Sequence, residues 1–248
     1  MLSEAELIIP RWPAPANVRA IQTTRAGGVS VAPYDTLNLG MHVEDNPLNV
    51  ARNRQLLNVY VPTEPVWLNQ VHGVTVIDAD ATSCVPDADA AFSKSKGAVC
   101  AVMTADCLPL LFCNHEGTVV AATHAGWRGL CDGVIEATID AMQVPPDSLM
   151  AWLGPAIGPQ AFEVGEEVRR EFMTHQSEAK DVFVPAGDGK WLGNMYRLAQ
   201  LRLGRKGVTE IYGGGIDQDF CTYTDASRFF SFRRDGKTGR MASLIWLE

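Results

Sequence analysis

Residues 103–131 read MTADCLPLLFCNHEGTVVAATHAGWRGLC, and the two apolar runs inside them decide how the chain folds. Leu108–Cys113 and Thr118–Thr123 are separated by the polar turn Asn114-His115-Glu116-Gly117, the pattern of a β-hairpin with a glycine-containing turn. Beyond His124, Ala-Gly-Trp-Arg-Gly leads into Leu130, Val134, Ile135, Ile139 and Met142, whose spacing predicts a helix over 129–142. The hairpin thus carries Cys107 at the start of one strand and His124 at the end of the other, where strand gives way to helix.

A helix N-terminus leaves backbone N–H groups and a positive dipole end free for an anion or a polarised ligand, and Ala125 and Gly126 are small enough to leave room for one. Upstream, in VWLNQVHG, His72 follows an expected strand at Val66–Leu68 and precedes Gly73. Two imidazoles and one thiolate, from His72, Cys107 and His124, make a three-ligand set for zinc with a fourth position open to water or substrate. Against this stands a plainer reading. A cysteine between apolar residues is more often a small core residue, and a histidine at a strand end more often a hydrogen-bonded surface group. None of the close-spaced zinc patterns occurs, so spacing alone leaves both readings open.

The 248 residues suffice for one large or two small domains, and one domain spanning 1–248 is expected. With 46% hydrophobic and 20% charged residues, the composition is that of a soluble globular protein. No apolar run approaches membrane-spanning length, and MLSEAELIIPRW lacks the basic start and apolar segment of a signal peptide. A cytoplasmic location with no membrane partner is therefore expected. Acidic residues exceed basic ones, 29 against 21, for a net charge of −8, which argues against a general nucleic-acid binder. An anionic substrate would need a local arginine cluster. The six cysteines (84, 100, 107, 113, 131, 221) form no CxxC pair and are expected as thiols, with Cys100 and Cys113 in the core.

Elsewhere, Val18–Thr24 reads as a strand ending in the turn Arg25-Ala-Gly-Gly. There a guanidinium and bare amides could meet a phosphate, although a solvated turn arginine fits as well. Pro47–Val59 reads as a helix with Asn46 as N-cap and Pro47 first, and its Arg54 points either into the site or to solvent. Val74–Ile77, Ala98–Met103, Leu149–Leu153 and Thr209–Tyr212 read as strands, and Val164–Thr174 and Leu198–Leu203 as helical. Asp78–Ala91 reads as a loop whose Asp87 and Asp89 could together bind a metal, but a polar loop accounts for them more simply. The Gly154–Pro159 loop is expected to wall the pocket. Arg233-Arg234-Asp235-Gly236 is expected to turn a C-terminal hairpin between Phe229–Phe232 and Met241–Leu247, with one arginine as an anion clamp. Strands outnumber helices in an irregular order, which points to an α+β fold with mixed β-sheets rather than a regular parallel one.

The strings LNQVHG, TADCLPLLF, HAGWRGL, WLGPAIGPQAFEVGEEV and FFSFRRDGKTGRMASLIWL resemble those of the bacterial laccase-domain family. Its members are also called multicopper polyphenol oxidases, peptidoglycan editing factors and laccase-domain purine nucleoside phosphorylases. The likeness runs from TTRAGGVS to the last strand, with GGGIDQD longer than in the related proteins. It implies a four-layer α/β/β/α arrangement and a zinc held by one Cys and two His, at the positions of His72, Cys107 and His124. A histidine is common at the position of His42, which the resemblance places near the pocket, although a hydrogen-bonded structural histidine is the simpler reading.

The activity so implied is zinc-dependent phosphorolysis of adenosine, inosine or methylthioadenosine, with adenosine deamination, so that a small nucleoside and phosphate are the expected partners. Arg25, Arg128 and Arg233 are the phosphate candidates, and Asp106, beside the thiolate, is a candidate acid/base group whose plainer role is a turn or capping carboxylate. Alternatives remain: a metal-free Cys107–His124 nucleophilic dyad, editing of peptidoglycan precursors, and a nucleoside-binding protein without turnover. Copper oxidation of phenols is also conceivable, but five scattered histidines suit only weak activity.

Overall fold

The computed structural model describes residues 2–81 and 84–248; Thr82 and Ser83 of the expected 78–91 loop lie outside them. In chain order the first half contains β1 (Leu7–Ile8), β2 (Val18–Thr23), α1 (Pro47–Leu57), β3 (Val76–Asp78), β4 (Ala90–Ser93) and β5 (Cys100–Thr104). The central stretch forms β6 (Leu108–Asn114), β7 (Val120–Ala125), α2 (Trp127–Asp132) and α3 (Val134–Met142). Then follow β8 (Leu149–Leu153), β9 (Glu163–Gly165), α4 (Glu166–His175), β10 (Val184–Gly187) and β11 (Lys190–Leu192). The chain closes with α5 (Met195–Lys206), β12 (Glu210–Gly213), α6 (Phe232–Asp235) and β13 (Met241–Leu247).

Two sheets pack face to face. One has the order β1-β2-β13-β5 and the other β12-β8-β6-β7-β4-β3, with β10-β11-β9 as a small third sheet. The larger sheet is mixed: β12 runs parallel to β8 and β3 to β4, while β6, β7, β8 and β4 pair antiparallel. β13 shows how both faces become apolar. Met241, Ile245 and Leu247 point to the inter-sheet core, whereas Ala242, Leu244 and Trp246 alternate onto the outer face with Leu57 of α1. On the far side, α3 and α5 bury Ile135, Ile139, Leu198 and Leu203 against Leu108, Leu110 and Phe112 of β6. Helix, sheet, sheet and helix thus form the four expected layers. Every residue of β6, β7 and β13 is buried, which is why these strands read as continuous apolar runs.

Three expectations are corrected. Val66–Leu68 is not a strand: its pairing is a lone bridge from Val66 to Cys100. The expected helix over 129–142 is two helices, broken at Gly133, whose φ of 105° lies in the left-handed region that costs an L-residue about 1–2 kcal/mol. The C-terminal hairpin does not form. Phe232–Asp235 is a helical turn capped by the Ser231 side chain, and β13 pairs instead with β2 and β5 across the sheet.

Candidate metal centre

The register of the β6–β7 hairpin builds the centre. Leu108 pairs with Ala125 and Pro109 with His124, so Cys107, one residue before β6, sits against the end of β7 and the start of α2. β4 pairs with the other edge of β7, Ala90 opposite Thr123, which sets Asp89 opposite His124. The backbone confirms this: the His124 amide donates to the Asp89 carbonyl at 2.7 Å.

Asp89 then organises both histidines. Its Oδ1 lies 2.8 Å from His124 Nδ1 and accepts the His72 amide at 3.0 Å, while Oδ2 accepts the Gly73 amide at 2.6 Å. The loop carrying His72, a residue at φ 62°, is therefore anchored on a fully buried carboxylate. Engaging His124 through Nδ1 leaves Nε2 to face Cys107, the arrangement by which a second carboxylate orients a metal-ligating imidazole. The reading of Asp89 as a plain polar loop residue is thus replaced. Asp87 is in such a loop, accepting from Asn69.

The donor atoms of His72, Cys107 and His124 all lie within 4.8 Å of one another, with Cys107 Sγ 3.8 Å from His72 Nε2. Zinc–nitrogen and zinc–sulfur bonds of ordinary length at a tetrahedral angle space such atoms at roughly 3.6 Å, so the set fits that ion. Gly126 keeps the space clear: a Cβ there would lie 2.6 Å from His72 Cδ2 and 3.3 Å from Cys107 Sγ. Burial pushes the Cys107 thiol up, but the two imidazoles outweigh it and bring it down to about 6. Burial pushes His124 down, while the Cys107 thiolate and Asp89 raise it to about 9. Without an ion the site is thiolate beside imidazolium, and the thiolate is the form that ligates a metal. Cys113, buried in β6, is by contrast pushed up to about 12, as befits a core thiol.

The cluster opens into a cavity of about 270 Å³ lined by His42, Gln70, Thr104, Phe232 and Arg240. A smaller cavity of about 150 Å³ shares Ala105, Cys107 and Phe232 with it and is walled by Trp127, Ile157, Phe162 and Met195. The Gly154–Pro159 loop does wall the pocket, through Ile157, whose amide donates to the Asp106 carbonyl at 2.9 Å. His42 reaches the cavity, and burial together with Arg240 and Arg54 keeps its pKa below the usual imidazole value.

The other sequence candidates separate. Asp106 is not placed as a free acid/base group: its Oδ1 accepts from the Thr222 hydroxyl at 2.5 Å, and Oδ2 from the Ser231 hydroxyl and the Arg233 amide. Both oxygens are committed to tethering the 222–233 segment, the capping role. The Arg25 guanidinium bonds Asp35 and the Ala226 carbonyl and stacks on Phe230, and Arg25 lines neither cavity. Arg128 is exposed and lies over Trp127, lining neither cavity. Arg233 borders the smaller cavity while bonding the Ala161 and Glu163 carbonyls. Arg54 bonds the Leu39 carbonyl, stacks on Trp67 and reaches the cavity-lining Met103 Sδ at 4.0 Å. Arg240, Gln70, Thr104 and Phe232 are among the cavity residues that sequence reasoning missed. Gln70 clamps Met103 through both its amide and carbonyl, and its place in NQVHG two residues before His72 was the available signal. A second group of close donors, Cys131, Asp132 and His175, lies at the opposite end of α2.

Comparison with known proteins identifies the family. The family described as multi-copper polyphenol oxidoreductase laccase matches residues 19–248. The chain is 57% identical over 242 residues to purine nucleoside phosphorylase PA4543 of Pseudomonas aeruginosa, covering 97% of this chain and 98% of the relative. It is 54% identical to purine nucleoside phosphorylase YfiH of Escherichia coli, over 98% of this chain and 99% of that one. Among solved structures, Neisseria meningitidis protein NMB0706 superposes with a TM-score of 0.93 at 52% identity, covering 98% of this chain and 99% of its own. YlmD from Geobacillus stearothermophilus superposes at 0.91 with 28% identity, covering 100% and 98%. The chain belongs to the multi-copper polyphenol oxidoreductase laccase family.

Proposed function

We propose that this protein is a zinc-dependent purine nucleoside phosphorylase that also deaminates adenosine, the whole chain working as one domain. The observation that carries the reading is the His72–Cys107–His124 cluster in the wall of a cavity of about 270 Å³, in a chain 57% identical to a relative named for that activity. A zinc ion on His72, Cys107 and His124 would supply Lewis-acid charge and lower the pKa of water beside it.

The protein groups do the rest by binding and orientation. Trp127, Ile157, Phe162, Met195 and Phe232 form an apolar slot for the flat base. His42, whose pKa burial and the nearby arginines keep below the usual imidazole value, can in its neutral form donate from one ring nitrogen and accept at the other, as a ribose hydroxyl requires. In phosphorolysis a phosphate oxygen bonds to the ribose anomeric carbon as the bond to the purine nitrogen breaks, and the leaving base takes up a proton. The cleft must therefore hold phosphate and nucleoside together and exclude bulk water.

Copper redox chemistry is not favoured, because of the three remaining histidines only His42 shares the cavity of the cluster, while His115 pairs with Glu210 and His175 with Glu171. The test is release of hypoxanthine from inosine by zinc-loaded wild type and Cys107→Ala, with and without phosphate. Turnover that requires both phosphate and Cys107 supports the reading. No turnover in wild type under either condition overturns it and moves cell-wall precursor hydrolysis to the front.

A further inference from the structure

The arginines of this protein divide into those that pair with a carboxylate and those, Arg54, Arg128, Arg233 and Arg240 among them, that have none in contact among the described residues. Arg25, Arg202, Arg228 and Arg234 each pair with a carboxylate. Arg240 does not: among the described residues its side-chain hydrogen bonds both leave from Nη1, to the Thr238 and Gly239 carbonyls at 3.0 Å. Its Nε and Nη2 are left without a protein partner while the residue lines the larger cavity. The arm is held rigidly. The Arg240 amide donates to Asn38 Oδ1, its carbonyl accepts from the Leu39 amide, and Gly40 packs so closely that a Cβ there would lie 2.8 Å from Arg240 Cγ. Beside it, opposite Met241 in the β13–β5 ladder, stands Thr104, which lines the same cavity, is 1% exposed and has a hydroxyl with no hydrogen-bond partner. A half-buried cation with no carboxylate in hydrogen-bond contact, whose nearest anions are Cys107 and Asp106, and a buried hydroxyl without a partner both call for a ligand.

We infer that Arg240 and Thr104 form the phosphate subsite of the cleft, the guanidinium giving a two-pronged contact to two phosphate oxygens and the Thr104 hydroxyl a third hydrogen bond. This deepens the phosphorylase reading and rests on it for the identity of the anion as inorganic phosphate. It replaces the arginines expected from sequence. The subsite shares its cavity with Cys107 and His124, so a phosphate held there meets the nucleoside at the metal centre.

The experiment has two arms on zinc-loaded wild type, Arg240→Lys and Thr104→Val, each checked for equal zinc content and native near-ultraviolet circular dichroism. One arm titrates inorganic phosphate calorimetrically without nucleoside; the other measures KM for phosphate and for inosine separately. Loss of a charge-assisted hydrogen bond should weaken phosphate binding about tenfold or more in each variant, and raise the phosphate KM in step, with the inosine KM within about twofold of wild type. If Arg240→Lys fails to fold, Thr104→Val, nearly isosteric, carries the test alone. Phosphate binding that is unchanged in the folded variants, or absent in wild type, overturns the subsite. Binding that depends on these residues in a wild type that releases no hypoxanthine overturns phosphorolysis and upholds the anion site.

Discussion

Replacing Asp89 with asparagine should uncouple the metal centre from the fold. The carboxylate takes His124 Nδ1 and the His72 amide on one oxygen, and the Gly73 and Val71 amides on the other. Whichever way the asparagine amide is turned, its NH2 faces hydrogen-bond donors where an oxygen stood, so two bonds to a charged acceptor become donor–donor contacts. Burial raises the Asp89 pKa, but the hydrogen bonds from His124 and from the Gly73 and His72 amides hold it below the usual carboxylate value, so it is the charged form that is lost. Buried hydrogen bonds to a charged group are worth about 1.5–3 kcal/mol each, so losing two predicts a stability loss of about 3–6 kcal/mol. Removing the partner that orients a metal-ligating imidazole weakens metal affinity about 10- to 100-fold, equivalent to about 1.4–2.7 kcal/mol. Zinc affinity is measured by competition with a chromogenic chelator and stability by urea denaturation of the metal-free protein. A folded Asp89→Asn protein whose zinc affinity stays within about twofold of wild type would refute the coupling.

Two further outcomes follow from the same geometry. Asp106→Ala should cost about 2–4 kcal/mol of stability, because the Thr222 and Ser231 hydroxyls and the Arg233 amide lose their acceptor; a large fall in kcat with unchanged unfolding would instead make Asp106 an acid/base group. In metal-free protein, iodoacetamide should modify Cys107 with a midpoint well below the ordinary thiol value of 9.0, since its thiolate persists down to about 6. Reactivity should rise as pH increases through that value, and zinc should protect. Reactivity that begins only above pH 8, or that zinc leaves untouched, contradicts the site.

What could be read from the chain was local. The hairpin around Gly117 and the Asn46-Pro47 helix start were legible because turn, capping and period are written in adjacent residues. The break at Gly133 carried a visible glycine, yet the apolar series ran through it unbroken, since α2 and α3 bury the same side against β6 and β7. The C-terminal hairpin was misread because two apolar runs flanking an Arg-Arg-Asp-Gly turn look like paired strands, whereas β13 pairs with β5 and with β2, the latter 219 residues away in sequence where the Ala242 amide meets Thr23. The Val66–Leu68 strand failed for the reverse reason: β propensity without a neighbouring ladder yields one bridge.

By itself the sequence determined which residues could ligate a metal, since only certain side chains offer a thiolate or imidazole, and it determined the strands that present Cys107 and His124. The tertiary structure alone decided which charges are answered. Asp89 becomes the hub of the centre because β4 lies in register against β7, Arg25 is spent on Asp35, and Arg240 is left facing the cavity because β13 runs between β2 and β5. Whether a charge is neutralised depends on groups within a few ångströms in space, and sheet register brings those groups together from distant parts of the chain.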